Sequence, residues 1–315
     1  RAAPIGRIRS FGRSSMRQSR TLPHRRVHEM SKSVHLALPF RFGTVGTPLS
    51  APKNGGSAGG VRRIRELNLS ALELAWVRGT THITPEACAR IRAAAEECDV
   101  AISVHATYFF NLNAETEAMW HAGRDRLLHA ARLGAAAGAT DVIFHPGSYM
   151  KRASTEAFRI ASERLGEIVD ALQRERNPVV LRPETMGKQA LLGTLDETIE
   201  WSRRFENVLP CVDFAHLHAR PGDGSFNSYA EFAAALQRIQ DGLGAAALKR
   251  MHIHLSGIAY TARGEKNHLN FDEADLRYKD LLRALAAFDC AGRILSETPN
   301  MEEGAVVLQN AYRVK

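Results

Sequence analysis

The chain has 315 residues, of which 44% are hydrophobic and 24% are charged, the balance of an ordinary soluble globular protein. No segment approaches the roughly 18 apolar residues of a membrane-spanning helix. The four cysteines form no CxxC pair, which argues against a disulfide framework and a cysteine zinc cage. The formal net charge of +8 lies wholly in residues 1–33, where nine basic residues face Glu29 alone. The remaining body is formally neutral and shows no large electrostatic footprint for nonspecific DNA binding.

Residues 1–33 are rich in Arg and Ser and nearly free of acidic residues, a composition typical of an organelle transit peptide. Three interpretations stay open: an upstream read-through ahead of a natural start at Met30, a targeting segment, or a solvated basic arm. In each case we expect a disordered extension followed by one folded domain over residues 34–315. We expect the protein to be cytoplasmic and nucleoid-associated, or organellar if the extension is a transit segment.

From residue 34 onward, short β-rich apolar segments alternate with longer helical ones. The predicted strands are VHLALPFRF (34–42), ALELAW (71–76), AISVHA (101–106), DVIFHPG (141–147), PVVLRPET (178–185), LPCVDFAH (209–216), RMHIHLSG (250–257) and GRILSETP (292–299). Alternation without long hairpin signals predicts parallel pairing through crossovers. Eight such units predict a (β/α)8 TIM barrel, in the α/β class. A doubly wound open sheet is disfavoured because no GxGxxG follows the first strand.

The third to the eighth predicted strands each end in a histidine or a carboxylate. These residues are His105, His145, Glu184, Asp213 with His216, His254, and Glu297. Because barrel chemistry gathers at the C-terminal ends of strands, we expect them to share one mouth. A single histidine at a strand end is usually structural, and a single carboxylate there usually caps the next helix. Such residues at six consecutive strand ends favour a metal site. Imidazoles and carboxylates without thiolates suit Zn²⁺ or Mn²⁺, and these candidates exceed the needs of one tetrahedral ion.

Side-chain parity predicts a second layer beneath that mouth. His252 and Arg182 each lie two residues before a mouth residue. We expect His252 in the core or supporting the ligands, and Arg182 orienting Glu184. Glu73, on the second predicted strand, is expected to be structural or to support the ligands. His218 overshoots the sixth strand into a loop, where it supports the site, contacts the substrate or has no role in either.

Six motifs follow these strands in order. They are HATYFFNLN (105–113), FHPGS (144–148), PET (183–185), DFAH (213–216), HLSG (254–257) and ETPN (297–300). Between about Phe42 and Tyr312 the chain resembles the endonuclease IV family of zinc-dependent apurinic/apyrimidinic endonucleases, within the xylose-isomerase-like TIM barrels, and looks closest to its archaeal-type branch. The resemblance implies one zinc held by His105, His145 and Glu184. It implies a second zinc held by Glu184, Asp213, His254 and Glu297.

The resemblance also implies a third zinc, held by His216 and an Asp-x-His element after the seventh strand. This chain reads GEKNHL there, so two alignments stay open. Either His268 is the ligand and Lys266 takes the place of the aspartate, or the segment slips and Glu265 supplies the carboxylate. Glu265 with His268 is chemically workable, whereas a lysine cation beside zinc is not. HLSG also departs from the family's usual HLND, which removes an aspartate near the mouth.

The activity implied by the resemblance is hydrolysis of the phosphodiester 5′ to an abasic site in double-stranded DNA. A metal-bound hydroxide would attack at a multinuclear zinc centre, with Glu184, Asp213 and Glu297 as its catalytic carboxylates. We expect two or three zinc ions, with Mn²⁺ as the other metal that fits, in a monomer with no membrane partner.

Four residues are candidate DNA contacts. Tyr108 and Phe109 stand where the family places residues that wedge into DNA, and an aromatic ring there could stack on a base; ordinary packing is the alternative. Arg263 and Lys266 follow the seventh strand and could contact flanking phosphates, with solvated surface charge as the alternative.

Two rival functions stay open. A sugar isomerase or epimerase with a single metal would need only the four carboxylate and imidazole ligands around Glu184, and would leave His105, His145 and His216 idle. A catalytically silent barrel could instead bind damaged nucleic acid or a partner protein. Metal content separates the nuclease from the isomerase, because the nuclease needs several ions per chain and the isomerase needs one.

Overall fold

The structure is a computed structural model that describes residues 38–314. The expected basic extension, residues 1–33, and the first part of the first predicted strand lie outside the described residues. Within residues 38–314 no helix is both long and apolar enough to cross a membrane.

Eight parallel strands form a nearly closed barrel, as the sequence predicted. The strands of the described residues are β1 (Phe40–Val45), β2 (Ala71–Ala75), β3 (Ala101–His105), β4 (Ala139–Phe144), β5 (Val180–Pro183), β6 (Cys211–Asp213), β7 (Met251–Leu255), β8 (Gly257–Thr261), β9 (Gly264–Leu269) and β10 (Gly292–Ser296). The barrel order is β5-β4-β3-β2-β1-β10-β7-β6, and parallel bridges from Leu181 to Val208 and from Glu184 to Cys211 bring its two ends together. Because every barrel strand runs the same way, all C-terminal ends meet at one mouth.

The crossover helices lie between these strands. They are α1 (Gly56–Glu66), α2 (Pro85–Cys98), α3 (Glu117–Ala136), α4 (Ser154–Arg174), α5 (Leu195–Arg204), α6 (Phe214–Ala219), α7 (Tyr229–Leu243), α8 (Ala245–Leu248), α9 (Tyr278–Ala287) and α10 (Glu302–Arg313), with a 3₁₀ turn at Phe271–Glu273. Their starts follow from the sequence, since Thr84, Thr116 and Ser228 each accept a hydrogen bond from the first turn of a helix. Thr194 and Glu197 form a reciprocal capping box at α5.

Two segments differ from the prediction. The chain after β7 folds into an antiparallel hairpin, β8–β9, which the strand pattern did not reveal. Its turn depends on Gly264, whose φ is +94° and whose missing Cβ would lie 2.3 Å from the Gly187 carbonyl oxygen. The chain after β6 enters the short helix α6, where a loop was expected at His218. Both segments border the mouth and bring further side chains to it.

The apolar core lies between the barrel wall and the helices. Its largest fully buried members include Trp120, Trp201, Phe42, Phe144 and Phe214. The barrel interior is different, because Glu73, Ser103, Arg182 and His252 are all buried polar residues on its strands. Buried ionisable groups are costly unless they are paired, so the partners of these interior residues bear on both stability and function.

Candidate metal centre

The first group of donors surrounds one oxygen of Glu184. Nε2 of His105 lies 3.2 Å and Nε2 of His145 lies 3.3 Å from Oε2 of Glu184. The two imidazole rings are nearly perpendicular, with centroids 5.0 Å apart. One donor atom from each of these three residues falls within 4.8 Å of the others, close enough to share one cation.

The second group shares Glu184 with the first. It contains Glu184, Asp213, His254 and Glu297, and its four donor atoms again lie within 4.8 Å of one another. Nδ1 of His254 stands 3.6 Å from Oε1 of Glu184 and 3.5 Å from Oε1 of Glu297. The imidazoles of the first group lie nearest Oε2 of Glu184, whereas His254 lies nearest Oε1, so the carboxylate faces both groups.

The third group shares Asp213 with the second and is completed by His216 and His268. The Nε2 atoms of the two histidines are 3.4 Å apart, and Oε2 of Glu265 lies 3.6 Å from Nε2 of His216. Lys266 is exposed on the hairpin. Of the two alignments left open by the sequence, this geometry supports the one in which Glu265 and His268 act together. Gly187 makes room for them, since a Cβ there would lie 2.8 Å from Cβ of Glu265.

Backbone carbonyls orient three of these histidines. Nδ1 of His105 faces the carbonyl oxygen of Ala106 at 3.0 Å, that of His216 faces Thr185 at 2.9 Å, and that of His268 faces Glu297 at 3.2 Å. A proton on Nδ1 satisfies each carbonyl and leaves Nε2 bare toward the mouth. This is how metal-binding histidines are usually held.

Several buried polar atoms at the mouth have no hydrogen-bond partner among residues 38–314. They are Oε1 of Glu184, Oδ2 of Asp213 and Nδ1 of His254. The Nε2 atoms of His216 and His268 face each other and Glu265. A cation among these atoms would satisfy them, and an unsatisfied buried polar group is costly.

Electrostatics lead to the same conclusion. Burial would raise the pKa of Glu184, but the imidazoles of His145 and His254 hold it well below the usual range. Burial raises the pKa of Asp213 to about 7, and the carboxylates of Glu297 and Glu184 contribute to that rise against the opposing effect of His216. The imidazoles thus favour the charged form of Glu184, whereas burial favours the neutral form of Asp213.

The donors fit divalent transition metals. Imidazole nitrogens and carboxylate oxygens without thiolate are the ligands of Zn²⁺ and Mn²⁺, and a site that keeps a position open for substrate needs three protein ligands per ion. Each of the three groups supplies at least three donors. The clusters could therefore bind metal ions.

The rim of the mouth carries the expected aromatic pair. Tyr108 is 56% and Phe109 is 67% exposed, and the Tyr108 ring centroid lies 5.0 Å from that of His145. The loop is held down by Thr107, whose hydroxyl donates to the Val77 carbonyl and accepts from the Phe109 amide. Arg263 is exposed at the turn of the β8–β9 hairpin, near the exposed Lys266. One exposed ring therefore lies beside His145, and two exposed cations lie on the hairpin that carries Glu265 and His268.

Beneath the mouth lies Glu73, which is fully buried on β2. Its Oε2 accepts hydrogen bonds from Ser103 Oγ at 2.8 Å and from His252 Nε2 at 2.9 Å. Its Oε1 lies 3.1 Å from Nε2 of His254. His252 therefore lies in the layer below His254, as parity predicted, and Glu73 connects the two.

The expectation that Arg182 orients Glu184 is wrong. Its Nε donates to Oδ1 of Asp141 at 2.6 Å, and its other nitrogens donate to the carbonyls of Pro210 and Arg250. The side chain is long enough to reach the N-terminal end of the barrel, where Arg293 also contacts Asp141 at 3.0 Å. We call Asp141, Arg182 and Arg293 the basal cluster. Burial would raise the pKa of Asp141, but the two guanidinium groups hold it far below its usual value.

His218 is fully buried on α6 and does not lie in a loop. Its Nε2 stands 2.9 Å from Oδ1 of Asp275, and its Nδ1 stands 3.0 Å from the Phe226 carbonyl. Tyr260, on β8, donates to the other oxygen of Asp275 at 2.7 Å. His218 therefore helps to hold the hairpin that carries Glu265 and does not face the donors itself.

The sequence did not predict that Thr185 and Ser103 support the site. Thr185 presents its carbonyl to His216, and its hydroxyl accepts from the Asp213 amide at 2.9 Å. Ser103 fixes Glu73 from the neighbouring strand. Parity places Ser103 below His105, which is the one signal that could have found it.

Comparisons with known proteins agree with this architecture. A model of the xylose isomerase-like TIM barrel family matches residues 61–313. An uncharacterised protein of Methanocaldococcus jannaschii is 37% identical over 272 residues, covering 86% of this chain and 96% of the relative. The probable endonuclease 4 of Bacillus subtilis is 28% identical over 179 residues, covering 55% of this chain and 58% of the relative. That alignment spans little more than half of the Bacillus protein.

Solved structures of two kinds share the fold. A D-tagatose 3-epimerase-like protein superposes with a TM-score of 0.67, and endonuclease IV from Thermus thermophilus superposes with 0.66. Each is 20% identical, and each comparison covers 87% of this chain and 98% of the other. At this identity the likenesses concern the fold alone, so the side chains at the mouth must distinguish the chemistry.

Proposed function

We propose a function for this chain, which belongs to the xylose isomerase-like TIM barrel family. The proposed activity is hydrolysis of the phosphodiester 5′ to an abasic site in double-stranded DNA, leaving a 3′-hydroxyl and a 5′-deoxyribose phosphate. The observation that carries it is the overlap of three donor groups through Glu184 and Asp213. The weak similarity to the endonuclease 4 proteins supports it.

Each of the three donor groups would hold one cation. His105, His145 and Glu184 would hold one cation, and Glu184, Asp213, His254 and Glu297 would hold a second. Asp213, His216 and His268, with Glu265 beside them, would hold a third. When bound, zinc would supply an activated water near neutral pH and would stabilise charge on both the attacking and the leaving oxygens. Mn²⁺ fits the same donors.

The protein's own groups position the substrate. Partial burial and the carboxylates of Glu297 and Glu184 raise the pKa of Tyr108 to about 12, so its hydroxyl stays protonated at neutral pH and can donate to a phosphate oxygen. The exposed ring of Phe109 is free to stack where a base is missing. Arg263 and Lys266 would contact flanking phosphates as exposed cations. Glu184, Asp213 and Glu297 remain the proposed catalytic carboxylates because they would hold the cation at which the phosphodiester reacts.

A duplex with one tetrahydrofuran abasic analogue tests the proposal. Zinc-loaded protein should cut the labelled strand 5′ to the analogue and should leave an undamaged duplex intact. The Glu184→Gln variant should be inactive. Glu167→Gln, which makes the same chemical change on the exposed face of α4, should match wild type. Binding without scission, or neither binding nor scission, would contradict the proposed hydrolase.

A sugar epimerase or isomerase is the second candidate. The four donors of the second group suffice for one divalent cation, and the epimerase-like solved structure shares the fold. This alternative gives no role to the first and third groups. His145→Ala and His216→Ala would then leave turnover of ketohexoses intact, whereas the nuclease should lose incision in both variants.

A further inference from the structure

We propose that Glu73 is a positioning residue that holds His254 with its Nδ1 directed into the second group. The inference rests on the proposed metal centre and adds a residue from outside its donor groups. Glu73 lies on β2, which like β1 supplies none of the donors of the three groups at the mouth.

The first step is the contact between two otherwise unpaired atoms. Oε1 of Glu73 and Nε2 of His254 are 3.1 Å apart, and both residues are fully buried. Neither atom has a hydrogen-bond partner elsewhere among residues 38–314. Buried polar atoms are almost always paired, and a proton on Nε2 directed at Oε1 would satisfy both.

The second step concerns the other face of the ring. With the proton on Nε2, a neutral imidazole offers a lone pair on Nδ1. That nitrogen points at Oε1 of Glu184 and Oε1 of Glu297, both of them acceptors, at 3.6 and 3.5 Å. The ring therefore presents a ligand atom at the point where the second group needs one. The carboxylate on its far side also makes the imidazole a better donor to a cation.

The third step is that Glu73 is itself held in place. Ser103 Oγ and His252 Nε2 both donate to Oε2, at 2.8 and 2.9 Å, and leave Oε1 for His254. The carboxylate thus joins a lower layer to the donor layer by using one oxygen for each. A glutamine has the same shape but a single acceptor oxygen, so it cannot accept from both imidazoles. Its amide group would face one ring and would favour the wrong tautomer there.

A purely structural role for Glu73 would give a different result. If its charge served only to balance the buried basic groups below, Glu73→Gln would lower the stability of the protein and leave the remaining metal affinity unchanged. If it positions His254, metal binding should respond more than folding does.

The test compares wild type, Glu73→Gln and Glu167→Gln, which makes the same chemical change on the exposed face of α4. Zn²⁺ affinity is measured by competition with a chromophoric chelator, and the ligand field by the visible spectrum of the Co²⁺-loaded protein. We expect Glu73→Gln to weaken one class of site by about 10- to 100-fold and to alter the Co²⁺ spectrum. Glu167→Gln should bind as wild type does. Unchanged affinity and spectrum in Glu73→Gln, or an equal loss in Glu167→Gln, would overturn the inference.

A measurement on wild type covers the case in which Glu73→Gln does not fold. In long-range ¹H–¹⁵N spectra of the zinc-loaded protein, His254 should carry its proton on Nε2 and none on Nδ1. The opposite tautomer would overturn the inference. Wild type that binds no metal would instead overturn the proposed function as well, so the two failures can be told apart.

Discussion

The two ends of this barrel both hold buried charged groups, which are paired at one end and partly unpaired at the other. In the basal cluster, Asp141 is 4% and Arg182 is 5% exposed, and the carboxylate is paired with both guanidinium groups. At the mouth, Glu184, Asp213 and His254 retain buried atoms with no partner. Charges that satisfy each other serve the fold, whereas the unpaired donor atoms at the mouth are groups that a cation could bind.

The largest expected effect is at the mouth. Glu184→Gln should lower incision of an abasic duplex by more than about 10³-fold, because losing one charge-stabilising group typically costs about 10²–10³-fold and Glu184 serves two groups. Steady-state kinetics with zinc-loaded protein measure this. The unfolding free energy of the metal-free variant should also fall, because the imidazoles that depress the pKa of Glu184 stabilise its charge in the folded state. Incision close to wild type by the folded variant would break the comparison.

The basal cluster should respond in the opposite way. Asp141→Asn leaves two buried guanidinium groups short of a counterion, so the unfolding free energy should drop by about 3–5 kcal/mol. Denaturant unfolding near neutral pH measures the change. Metal content and incision by the folded fraction should stay close to wild type. Loss of metal from a well-folded Asp141→Asn protein would show that the two ends are not separate in function.

The pH dependence sharpens this prediction. The pKa of Asp141 is depressed in the folded state by Arg182 and Arg293, so the folded state binds protons less readily than the unfolded state. The stabilisation is complete above the unfolded pKa of about 3.9 and is lost as pH falls toward the lower folded pKa. The gap between wild type and Asp141→Asn should therefore be constant above about pH 5 and narrow below about pH 4. A gap that widens in acid would contradict the assigned direction.

Added zinc should have an intermediate effect on stability. A ligand that binds only the folded state at about 100 times its Kd adds about 2.7 kcal/mol to the unfolding free energy. Wild type and Asp141→Asn should gain this increment alike in thermal or denaturant unfolding. Glu184→Gln should gain much less. An equal gain in all three proteins would mean that zinc binds elsewhere.

The smallest expected effect is at the rim. Phe109 is 67% exposed, so Phe109→Ala should change the unfolding free energy by no more than about 0.5 kcal/mol. It should weaken binding of an abasic duplex by about 1–3 kcal/mol if the ring stacks on a base. Fluorescence anisotropy at fixed salt measures the affinity, with undamaged duplex as the reference. Unchanged discrimination between the two duplexes would remove Phe109 from the DNA contacts.

The sequence allowed the barrel and the convergence of its strand ends to be predicted, because both depend on local patterns. Period-2 parity and strand-helix alternation were enough to place His105, Glu184, Asp213 and His254 together. The same parity was misleading for Arg182, since it gives the face on which a side chain starts and not the direction in which a long one extends. Its partner, Asp141, is 41 positions away and was not singled out.

The hairpin was harder to predict for a related reason. The β8–β9 turn depends on a contact between Gly264 and Gly187, which are far apart along the chain. Without that contact, GEKNHL admitted two alignments, and only the folded hairpin brings Glu265 and His268 to His216 together. The role of His218 likewise depends on Asp275, which α6 meets only in the folded chain. Tertiary contacts of this kind leave no periodic signal.

Elemental analysis of the purified chain by inductively coupled plasma mass spectrometry tests the central claim most directly. The overlapping donor groups predict about two to three zinc or manganese ions per chain in wild type and in Asp141→Asn, and clearly fewer in Glu184→Gln. No bound divalent metal in wild type, or a content that does not change in Glu184→Gln, would contradict it.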